Sequence, residues 1–319
     1  MIRYYCTLFD INYIIKGLTT LRSLIKFSDN LLIFVLCMDD ETKSLLEKIN
    51  IRQIKCISLH DVEEKRLLKA KSKRTKAEYC WTMASSFTWY VLQKNKEIEL
   101  LTYIDADLLF YSDPEPIFSE ISDSSIGIIE HRFASPFEYL QINGKFCVEW
   151  NTFRRDKEGL QCLNEWREQC LDWCFNRVEE GKMGDQKYLD EWPNTYINCH
   201  IIKNKGAGIA PWNYSNYEIK NSPPNILIDD QKLIFYHFHQ FQLLDNNTFY
   251  RLSNMYQSNK KEPIQIYEDY EREILKSLSI IRDFNPNFKA GIQKKRNFDI
   301  DKLKGLVPKN IKSFIRSFW

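Results

Sequence analysis

The sequence predicts an α/β fold of Rossmann type, in which helices cover both faces of a parallel sheet. Three apolar runs, at residues 3–9, 31–38 and 51–59, have the length and composition of buried strands. Segments with apolar residues at helical spacing lie between them. Strands that alternate with helices form parallel sheets, because each helix carries the chain back across the sheet. With 319 residues, 44% of them hydrophobic, the chain can bury a core of that size.

A short polar loop separates the first strand from the first predicted helix, whose apolar residues begin at Ile14. Asp10, Asn12 and Tyr13 lie in this loop, at the carboxyl end of the strand. The second strand leads into a helix that begins at Asp39-Asp40. The sequence has no Gly-x-Gly-x-x-Gly loop, so the phosphates of a bound nucleotide would need a counter-charge other than a helix N-terminus.

The charged segment at residues 63–76, which follows the third strand, has two interpretations. It is either a solvated helix face or a source of cations for a diphosphate, since arginine donates forked hydrogen bonds to phosphate oxygens. Arg74 is the candidate for the second role, because it directly precedes a predicted helix at residues 77–92. That helix ends just before the strand at residues 100–104, so we expect it to pass beside the end of that strand.

Two aspartates follow the buried strand at residues 100–104, in the order Asp105-Ala106-Asp107, and a second apolar run comes after them. Carboxylates on a hydrophobic edge are costly unless a cation neutralises them. Mg²⁺ and Mn²⁺ take oxygen ligands of this kind together with substrate phosphates, and ligands of α/β sheets bind at the carboxyl ends of strands. The pattern predicts a metal–phosphate site. A polar turn with two solvated aspartates is the alternative that the local sequence leaves open.

The second half of the chain is predicted to continue the alternation of helices and strands. The predicted elements are a helix at 116–121, strands at 125–130 and 146–153, a helix at 160–178, a short helix that ends at Trp192-Pro193, and strands at 195–202 and 233–239. In the long helix, cysteine and tryptophan residues repeat every four positions, which indicates a buried face.

Polar residues at two places in this half are candidates for the site. Asp185 and Gln186 lie where the short helix begins, and Asp185 has the alternative interpretation of an N-cap. His237 and His239 alternate onto one face of the last strand. Two histidines on one face favour a third metal ligand in a chain that already has an Asp-x-Asp motif.

Charge and cysteine content restrict the class of protein. The net charge of +2 provides no bulk positive field, so nucleic acid is not an expected partner. Nine scattered cysteines without a Cys-x-x-Cys pair indicate reduced thiols in a cytosolic protein, not a disulfide framework or a zinc site. No apolar run approaches the ~20 residues of a spanning helix, and the N-terminus lacks the pattern of a signal peptide.

The C-terminal residues 289–319 are basic, and their last apolar residues share one helical face. Residues 305–319 are either an amphipathic helix in a membrane interface, with cations toward anionic headgroups, or a terminal helix packed on its own domain or on a second subunit. In the first case the cytosolic protein would be peripheral on the inner face of the membrane.

Five motifs within residues 1–240 resemble, in content and order, those of one enzyme family. They are Asp10-Ile11-Asn12-Tyr13, Tyr103-Ile104-Asp105-Ala106-Asp107, Gly184-Asp185-Gln186, Ala210-Pro211-Trp212-Asn213-Tyr214 and Phe235-Tyr236-His237-Phe238. The chain resembles the GT-A glycosyltransferases, and specifically family 8, which includes glycogenins and bacterial lipopolysaccharide galactosyl- and glucosyltransferases. Two family motifs are replaced. Gln240-Phe241-Gln242 stands where the family has Gly-x-x-Lys-Pro-Trp, and Val148-Glu149-Trp150-Asn151 stands where it has Asn-Ala-Gly-Val.

The resemblance implies a GT-A fold with a mixed central sheet and a helical C-terminal extension. It implies a catalytic domain at residues 1–245, with a nucleotide-binding half at 1–110 and an acceptor-side half at 111–245. Residues 246–319 would form the basic extension.

The resemblance also implies roles for residues at the nucleotide. Asp10 and Asn12 are expected to bind uracil and ribose, and Tyr13 is expected to stack on the base. Asp105 and Ala106 would contact the nucleotide as well.

The metal ligands implied by the resemblance are Asp105, Asp107 and His237, with His239 as the alternative to His237. The metal would be Mn²⁺ or Mg²⁺, and it would absorb the charge that develops on the diphosphate.

The expected reaction is transfer of a sugar from a nucleotide-diphospho-sugar, UDP-linked, to a glycan or lipid-linked saccharide in surface polysaccharide or lipopolysaccharide synthesis. The family retains the anomeric configuration, and Asp185 and Gln186 would then line the sugar while Arg74 adds a positive contact. If the enzyme inverts instead, Asp185 or Glu149 would deprotonate the acceptor.

Two other classes of protein remain open. A nucleotidyltransferase that makes nucleotide-sugars also needs paired aspartates and Mg²⁺, but it usually has a Gly-rich, basic N-terminal loop, which is absent after Phe9. A non-catalytic sugar-nucleotide-binding protein should lack a full set of metal ligands.

Overall fold

A mixed seven-stranded sheet is the centre of the computed structural model, which describes residues 2–28, 30–245, 247–256 and 260–294. In chain order the strands are β1 (Arg3–Phe9), β2 (Leu31–Cys37), β3 (Ile54–Ser58), β4 (Leu100–Ile104), β5 (Leu108–Phe110), β6 (Ile126–Glu130), β7 (Phe146–Arg154), β8 (Cys199–Ile202), β9 (Ile219–Ser222), β10 (Asn225–Ile228), β11 (Gln231–Lys232), β12 (Phe235–His237), β13 (Gln242–Leu244), β14 (Phe249–Tyr250) and β15 (Ile292–Gln293).

Helices pack on both faces of the sheet. The α-helices are α1 (Ile14–Ile25), α2 (Asp40–Ile49), α3 (Leu59–Val62), α4 (Lys65–Lys71), α5 (Lys76–Lys94), α6 (Glu115–Ile121), α7 (Lys157–Asp172), α8 (Trp192–Thr195) and α9 (Ile264–Phe284). Short 3₁₀ helices lie at Ser135–Asn143, Lys187–Glu191, Tyr214–Asn216 and Asn254–Tyr256.

The strand order of the large sheet is β3-β2-β1-β4-β7-β6-β8. β1 pairs in parallel with both β2 and β4, as the alternation of strands and helices predicts. β7 runs antiparallel to its two neighbours, β4 and β6. The sheet is therefore mixed, and this confirms the fold class predicted from the sequence.

Alternation along the strands separates two hydrophobic cores, one on each face of the sheet. Tyr5 and Phe9 of β1 belong to the core that contains α1 and α9, whereas Cys6 and Leu8 belong to the core that contains α5 and α7. These strands are buried on both faces, which is why they appear in the sequence as continuous apolar runs.

Side-chain caps define where three of the large helices begin. Asp39 accepts a hydrogen bond from the Thr42 N–H at the start of α2, and Asp156 accepts one from Gly159 in α7. Thr75 and Glu78 form a reciprocal capping box at the start of α5. The cap of α5 places the helix start at Lys76, one residue before the predicted position.

Several predicted boundaries are wrong, including the following three. The helix predicted at residues 160–178 ends at Asp172, because Trp173 is extended, although Cys174 continues the buried stripe from a loop. The strand predicted at 195–202 is restricted to Cys199–Ile202, since Pro193 at the first turn favours the short helix α8 before it. The strand predicted at 233–239 is only Phe235–His237, because its partner β5 has three residues.

The C-terminal part of the described chain packs back on the first helices. Ser277 of α9 lies 2.8 Å from the Thr19 hydroxyl and accepts a hydrogen bond from Arg22, both in α1. In the part of the chain that the structure describes, no helix is long and apolar enough to cross a membrane. The predicted amphipathic helix at residues 305–319 lies outside the described residues.

Candidate active site

The candidate site lies at the carboxyl end of β4, in the middle of the sheet. The Asp105 N–H, directly after the strand, donates to the backbone carbonyl of Glu149 in β7 over 3.2 Å. The chain then forms β5, which pairs antiparallel with β12 so that His237 lies opposite Leu108. The Phe238 N–H donates to the Asp107 carbonyl over 2.9 Å. This pairing brings a histidine from late in the chain next to both aspartates.

Asp105, Asp107 and His237 form a compact cluster. His237 Nε2 lies 3.0 Å from Asp107 Oδ1 and 4.0 Å from Asp105 Oδ2. One ligand atom from each of the three residues lies within 4.8 Å of the others. Asp107 and His237 are buried, whereas the Asp105 side chain is 28% exposed. The cluster is therefore open to solvent on the side of Asp105.

The charges in the cluster are strongly coupled. Burial raises the pKa of Asp105 to about 7, against the opposing effect of His237. Burial also acts to raise the pKa of Asp107, but His237 and Lys16 hold it well below its usual range. Burial acts to lower the pKa of His237, and the Asp107 carboxylate beside it raises that pKa well above the ordinary value. A proton on His237 is thus the local counter-charge to Asp107.

The donor set fits a divalent cation. Two carboxylates and one imidazole nitrogen converge, and Mn²⁺ accepts such a mixed oxygen–nitrogen set more readily than Mg²⁺, which prefers oxygen. A second group of ligand atoms, from Cys147, Glu149 and His237, lies behind the first and is fully buried. His237 has one nitrogen toward each group, since Nδ1 contacts Glu149 and Nε2 contacts Asp107.

The structure does not bring His239 into the cluster. Within the described residues, the group of ligand atoms around Asp105 and Asp107 contains His237 and not His239. His239 follows the end of β12, and its ring packs edge-to-face on Trp212 and His237. Burial, followed by the charge of His237, lowers the pKa of His239 to about 4.

The loop after β1 lies beside the cluster. Asp10 accepts hydrogen bonds from the Tyr13 N–H and from the Asn12 side chain, and it forms an ion pair with Lys76. The Tyr13 hydroxyl donates to Asp107 Oδ2 over 2.8 Å, while the residue as a whole remains 37% exposed. Ala106 is buried between the two aspartates. The structure thus brings Tyr13 into direct contact with the predicted metal site.

Lys16 also belongs to the site, although it was not among the residues predicted from the sequence. Its ammonium lies 3.9 Å from Asp107 Oδ2, donates to the Tyr13 hydroxyl over 3.2 Å and lies over the Tyr13 ring. The signal was present in the sequence, because Lys16 is three residues after Tyr13 at the start of a helix and therefore on the same face.

Asp185 lies near the cluster, and the interpretation of this residue as an N-cap is wrong. The following 3₁₀ helix has Gln186 at its N-cap position and no side-chain capping hydrogen bond. Burial and then the charge of Asp105 raise the pKa of Asp185 to about 8, so the two carboxyl groups interact. The Gln186 amide donates to the Asn143 carbonyl over 3.0 Å.

Arg74 and Glu149 do not lie where their predicted roles at the diphosphate and at the acceptor would place them. The Arg74 guanidinium donates to Thr82 and, over 2.9 Å, to the Leu171 carbonyl, so its hydrogen bonds join α5 to α7 instead of reaching the cluster. Glu149 is fully buried on the far side of His237 from the aspartates. The alternative of Glu149 as a base for the acceptor stays a prediction, although its side chain has no exposed surface.

Comparison with known proteins identifies close relatives. No family model matches the chain. It is 32% identical to the uncharacterized protein YfnF of Bacillus subtilis (strain 168) over 301 residues, which cover 92% of this chain and 98% of YfnF. It is also 32% identical to the uncharacterized protein YfnD of the same strain over 292 residues, or 90% of this chain and 94% of YfnD. The chain belongs to the YfnF and YfnD family.

Solved structures reveal the fold of this YfnF and YfnD relative. The glycosyltransferase GlyE of Streptococcus pneumoniae TIGR4 matches 92% of the chain and 66% of its own, with 12% identity and a TM-score of 0.53. An active-site mutant of LgtC matches 84% of this chain and 94% of its own, with 12% identity and a TM-score of 0.51. The match to the bifunctional glycosyltransferase WbbM covers 88% of this chain and 51% of the WbbM chain, with 11% identity and a TM-score of 0.51. The predicted GT-A fold is confirmed, and membership of family 8 stays a prediction.

We expect the affinity of the protein for Mn²⁺ to rise between about pH 6 and about pH 8. Asp105, with a pKa of about 7, and His237, with a raised pKa, must both lose a proton before they bind a cation. Protons therefore compete with the metal at the lower pH. Titration calorimetry of the metal-free protein at constant ionic strength measures this effect. An affinity that is constant or falls as the pH rises would contradict it.

Proposed function

We propose that the protein is a metal-dependent glycosyltransferase that moves a sugar from a UDP-linked donor to a saccharide or lipid-linked saccharide acceptor. The observation that carries the proposal is the cluster of Asp105, Asp107 and His237 at the carboxyl edge of the sheet, with the polar loop after β1 beside it. Family 8 membership, retention of the anomeric configuration and a role in surface polysaccharide or lipopolysaccharide synthesis belong to the same proposal. The shared GT-A fold supports it.

Asp105, Asp107 and His237 would hold Mn²⁺ or Mg²⁺, which supplies positive charge for the diphosphate leaving group. One ligand atom from each carboxylate and from the imidazole lies within 4.8 Å of the others, so an ion at a point between them would reach all three. The partly exposed Asp105 leaves one side of this point accessible to a substrate.

The loop after β1 is proposed to bind the nucleoside. The partly exposed Tyr13 would stack on the base, and Asp10 and Asn12 would contact uracil and ribose. Ala106 and Asp105 lie at the neighbouring strand end, where their backbone can contact the ribose. Lys76, which is paired with Asp10, holds that carboxylate in the loop.

Lys16 is proposed to take over the diphosphate contact for which Arg74 was the candidate. The sequence lacks the lysine of the family motif after the histidine, and Lys16 supplies an ammonium group beside Asp107. A lysine in this position acts as a point charge on phosphate oxygens. Arg74 instead donates hydrogen bonds to Thr82 in α5 and to the Leu171 carbonyl in α7.

Asp185 and Gln186 are proposed to line the donor sugar. The Asp185 carboxyl interacts with Asp105, so this part of the acceptor-side half lies close to the candidate metal ligands. As the bond between the anomeric carbon and the diphosphate breaks, positive charge develops on that carbon, and the ionised form of the Asp185 carboxyl would stabilise it. The Gln186 amide, which donates to the Asn143 carbonyl, would keep the loop around Asp185 in position beside the sugar.

We further propose the predicted division into a catalytic domain at residues 1–245 and an extension at 246–319. In the described part of the extension, α9 packs on α1, and Ser277 forms hydrogen bonds with Thr19 and Arg22. The extension would therefore stabilise the nucleotide-binding half at residues 1–110. A cytosolic location and a membrane contact through residues 305–319 stay predictions.

Donor hydrolysis tests the proposed function. With Mn²⁺ and a panel of UDP-, GDP- and TDP-sugars, we expect slow hydrolysis with preference for a UDP-sugar. Asp107→Asn should lower the rate by about 100-fold or more, because the metal supplies several kcal/mol of transition-state stabilisation. Asp283→Asn, on the exposed surface of α9, is the matched control and should keep wild-type activity.

Activity that persists undiminished in EDTA, or no hydrolysis of any donor, would contradict the proposal. Pyrophosphate release from a nucleoside triphosphate and a sugar phosphate would favour the nucleotidyltransferase instead.

The role of Lys16 is tested by nucleotide binding. Lys16→Met should weaken UDP binding in the presence of Mn²⁺ by roughly 10- to 100-fold, since a hydrogen bond to a charged group contributes about 1.5–3 kcal/mol. Lys16→Arg should retain most of the affinity. Lys26→Met, at the exposed other end of α1, is the control for charge and helix stability. Titration calorimetry gives each Kd, and equal values for Lys16→Met and the wild type would exclude the contact.

A further inference from the structure

A glutamate carboxylate is buried directly behind His237. Glu149, in the middle of β7, has no exposed surface. Its Oε2 lies 2.6 Å from His237 Nδ1, while Nε2 of the same ring lies 3.0 Å from Asp107 Oδ1. The imidazole is therefore held between Glu149 on one side and the candidate metal ligands on the other.

Burial of Glu149 at this position is energetically unfavourable unless its carboxyl group has a functional role. Its second oxygen, Oε1, has no hydrogen-bond partner among the described residues. A buried carboxylate with an unsatisfied oxygen is costly, whereas an apolar side chain would fill a strand interior without that cost. Gly208 permits the close packing here, because a Cβ on Gly208 would lie 2.7 Å from Oε1.

The backbone of Glu149 also reaches the cluster. Its carbonyl accepts the hydrogen bond of the Asp105 N–H over 3.2 Å, where β7 pairs with the end of β4. One residue thus contacts two of the three candidate ligands, Asp105 through its main chain and His237 through its side chain. It lies in the stretch Val148–Asn151, where the sequence departs from the family motif.

We propose that Glu149 is a positioning residue that prepares His237 to bind a metal. By accepting a hydrogen bond from Nδ1–H, Glu149 selects the tautomer whose Nε2 lone pair points toward Asp105 and Asp107, and its negative charge makes that nitrogen a stronger donor. The inference rests on the metal cluster of the proposed function, but not on the identity of the substrate.

Glu149→Gln tests the inference, because it keeps the shape of the side chain and an oxygen that can accept a hydrogen bond from Nδ1–H but removes the charge. Partners of this kind typically change metal affinity by about 10- to 100-fold, so the Kd for Mn²⁺ should rise by about that factor. Thr152→Val is the matched control. Thr152 is buried on the same strand, and its hydroxyl contacts Thr102 over 3.0 Å instead of the cluster.

The measurements are titration calorimetry of the metal-free full chain with Mn²⁺, electron paramagnetic resonance of the bound ion, and thermal unfolding without metal. Thr152→Val should bind Mn²⁺ like the wild type. Glu149→Asp keeps the charge on a shorter side chain, so it should bind more tightly than Glu149→Gln. It also provides the test if the amide variant does not fold.

A Kd of Glu149→Gln within about twofold of the wild type, or an equal loss in Thr152→Val, would overturn the inference. The same holds if Glu149→Asp binds no better than Glu149→Gln, or if the wild type binds no Mn²⁺. Failure of the proposed function looks different. Wild-type protein that binds Mn²⁺ through a Glu149-dependent site, but hydrolyses no sugar nucleotide, would leave the inference intact and exclude the glycosyltransferase.

Discussion

The pairing of β5 with β12 is the contact on which the site depends. It places His237 opposite Leu108, next to two aspartates that are about 130 positions earlier in the chain. The other edge of β5 is held by α1. The Thr20 hydroxyl donates to the Leu108 carbonyl and accepts from its N–H, and Ser23 accepts from the Phe110 N–H. A strand of only three residues is thus hydrogen-bonded along both edges, and these bonds hold the residues of the cluster in place.

The charges in the cluster are of a kind that a divalent cation can neutralise. Asp105, Asp107 and Glu149 are three carboxyl groups in a small, largely buried volume, opposed by His237 and Lys16. Without a metal, burial raises the pKa of Asp105 to about 7, and Asp107 raises the pKa of His237 well above its ordinary value, so both groups can carry a proton near neutral pH. A divalent ion can replace both protons and neutralise the carboxylates together, which is the usual coupling between metal binding and ligand protonation.

Those parts of the fold that depend on local pattern were predictable. Buried strands and their helices follow from apolar spacing, and the polar ends of β1 and β4 follow from where that spacing stops. The antiparallel direction of β7 has no local signal, since a strand buried on both faces looks the same in either direction. The partners of Arg74 were unpredictable for a similar reason, because the end of α7, which supplies the Leu171 carbonyl, is distant in sequence. Glu149 was recognised as a carboxylate near the site, but its burial depends on the register of β7 with β4.

The helix α1 contributes several contacts to the site at successive turns. Tyr13, Lys16, Thr20 and Ser23 reach the cluster or β5 from one face, and Thr19 and Arg22 reach α9. Removing or inserting one residue in the middle of α1 would rotate everything beyond it by about 100°. Ser23 would then lose its contact with β5 and Arg22 its contact with α9, while Tyr13, which comes before the change, would stay in place. The length of this helix is consequently a much stricter requirement than the lengths of the surface loops, and variation among relatives should avoid it.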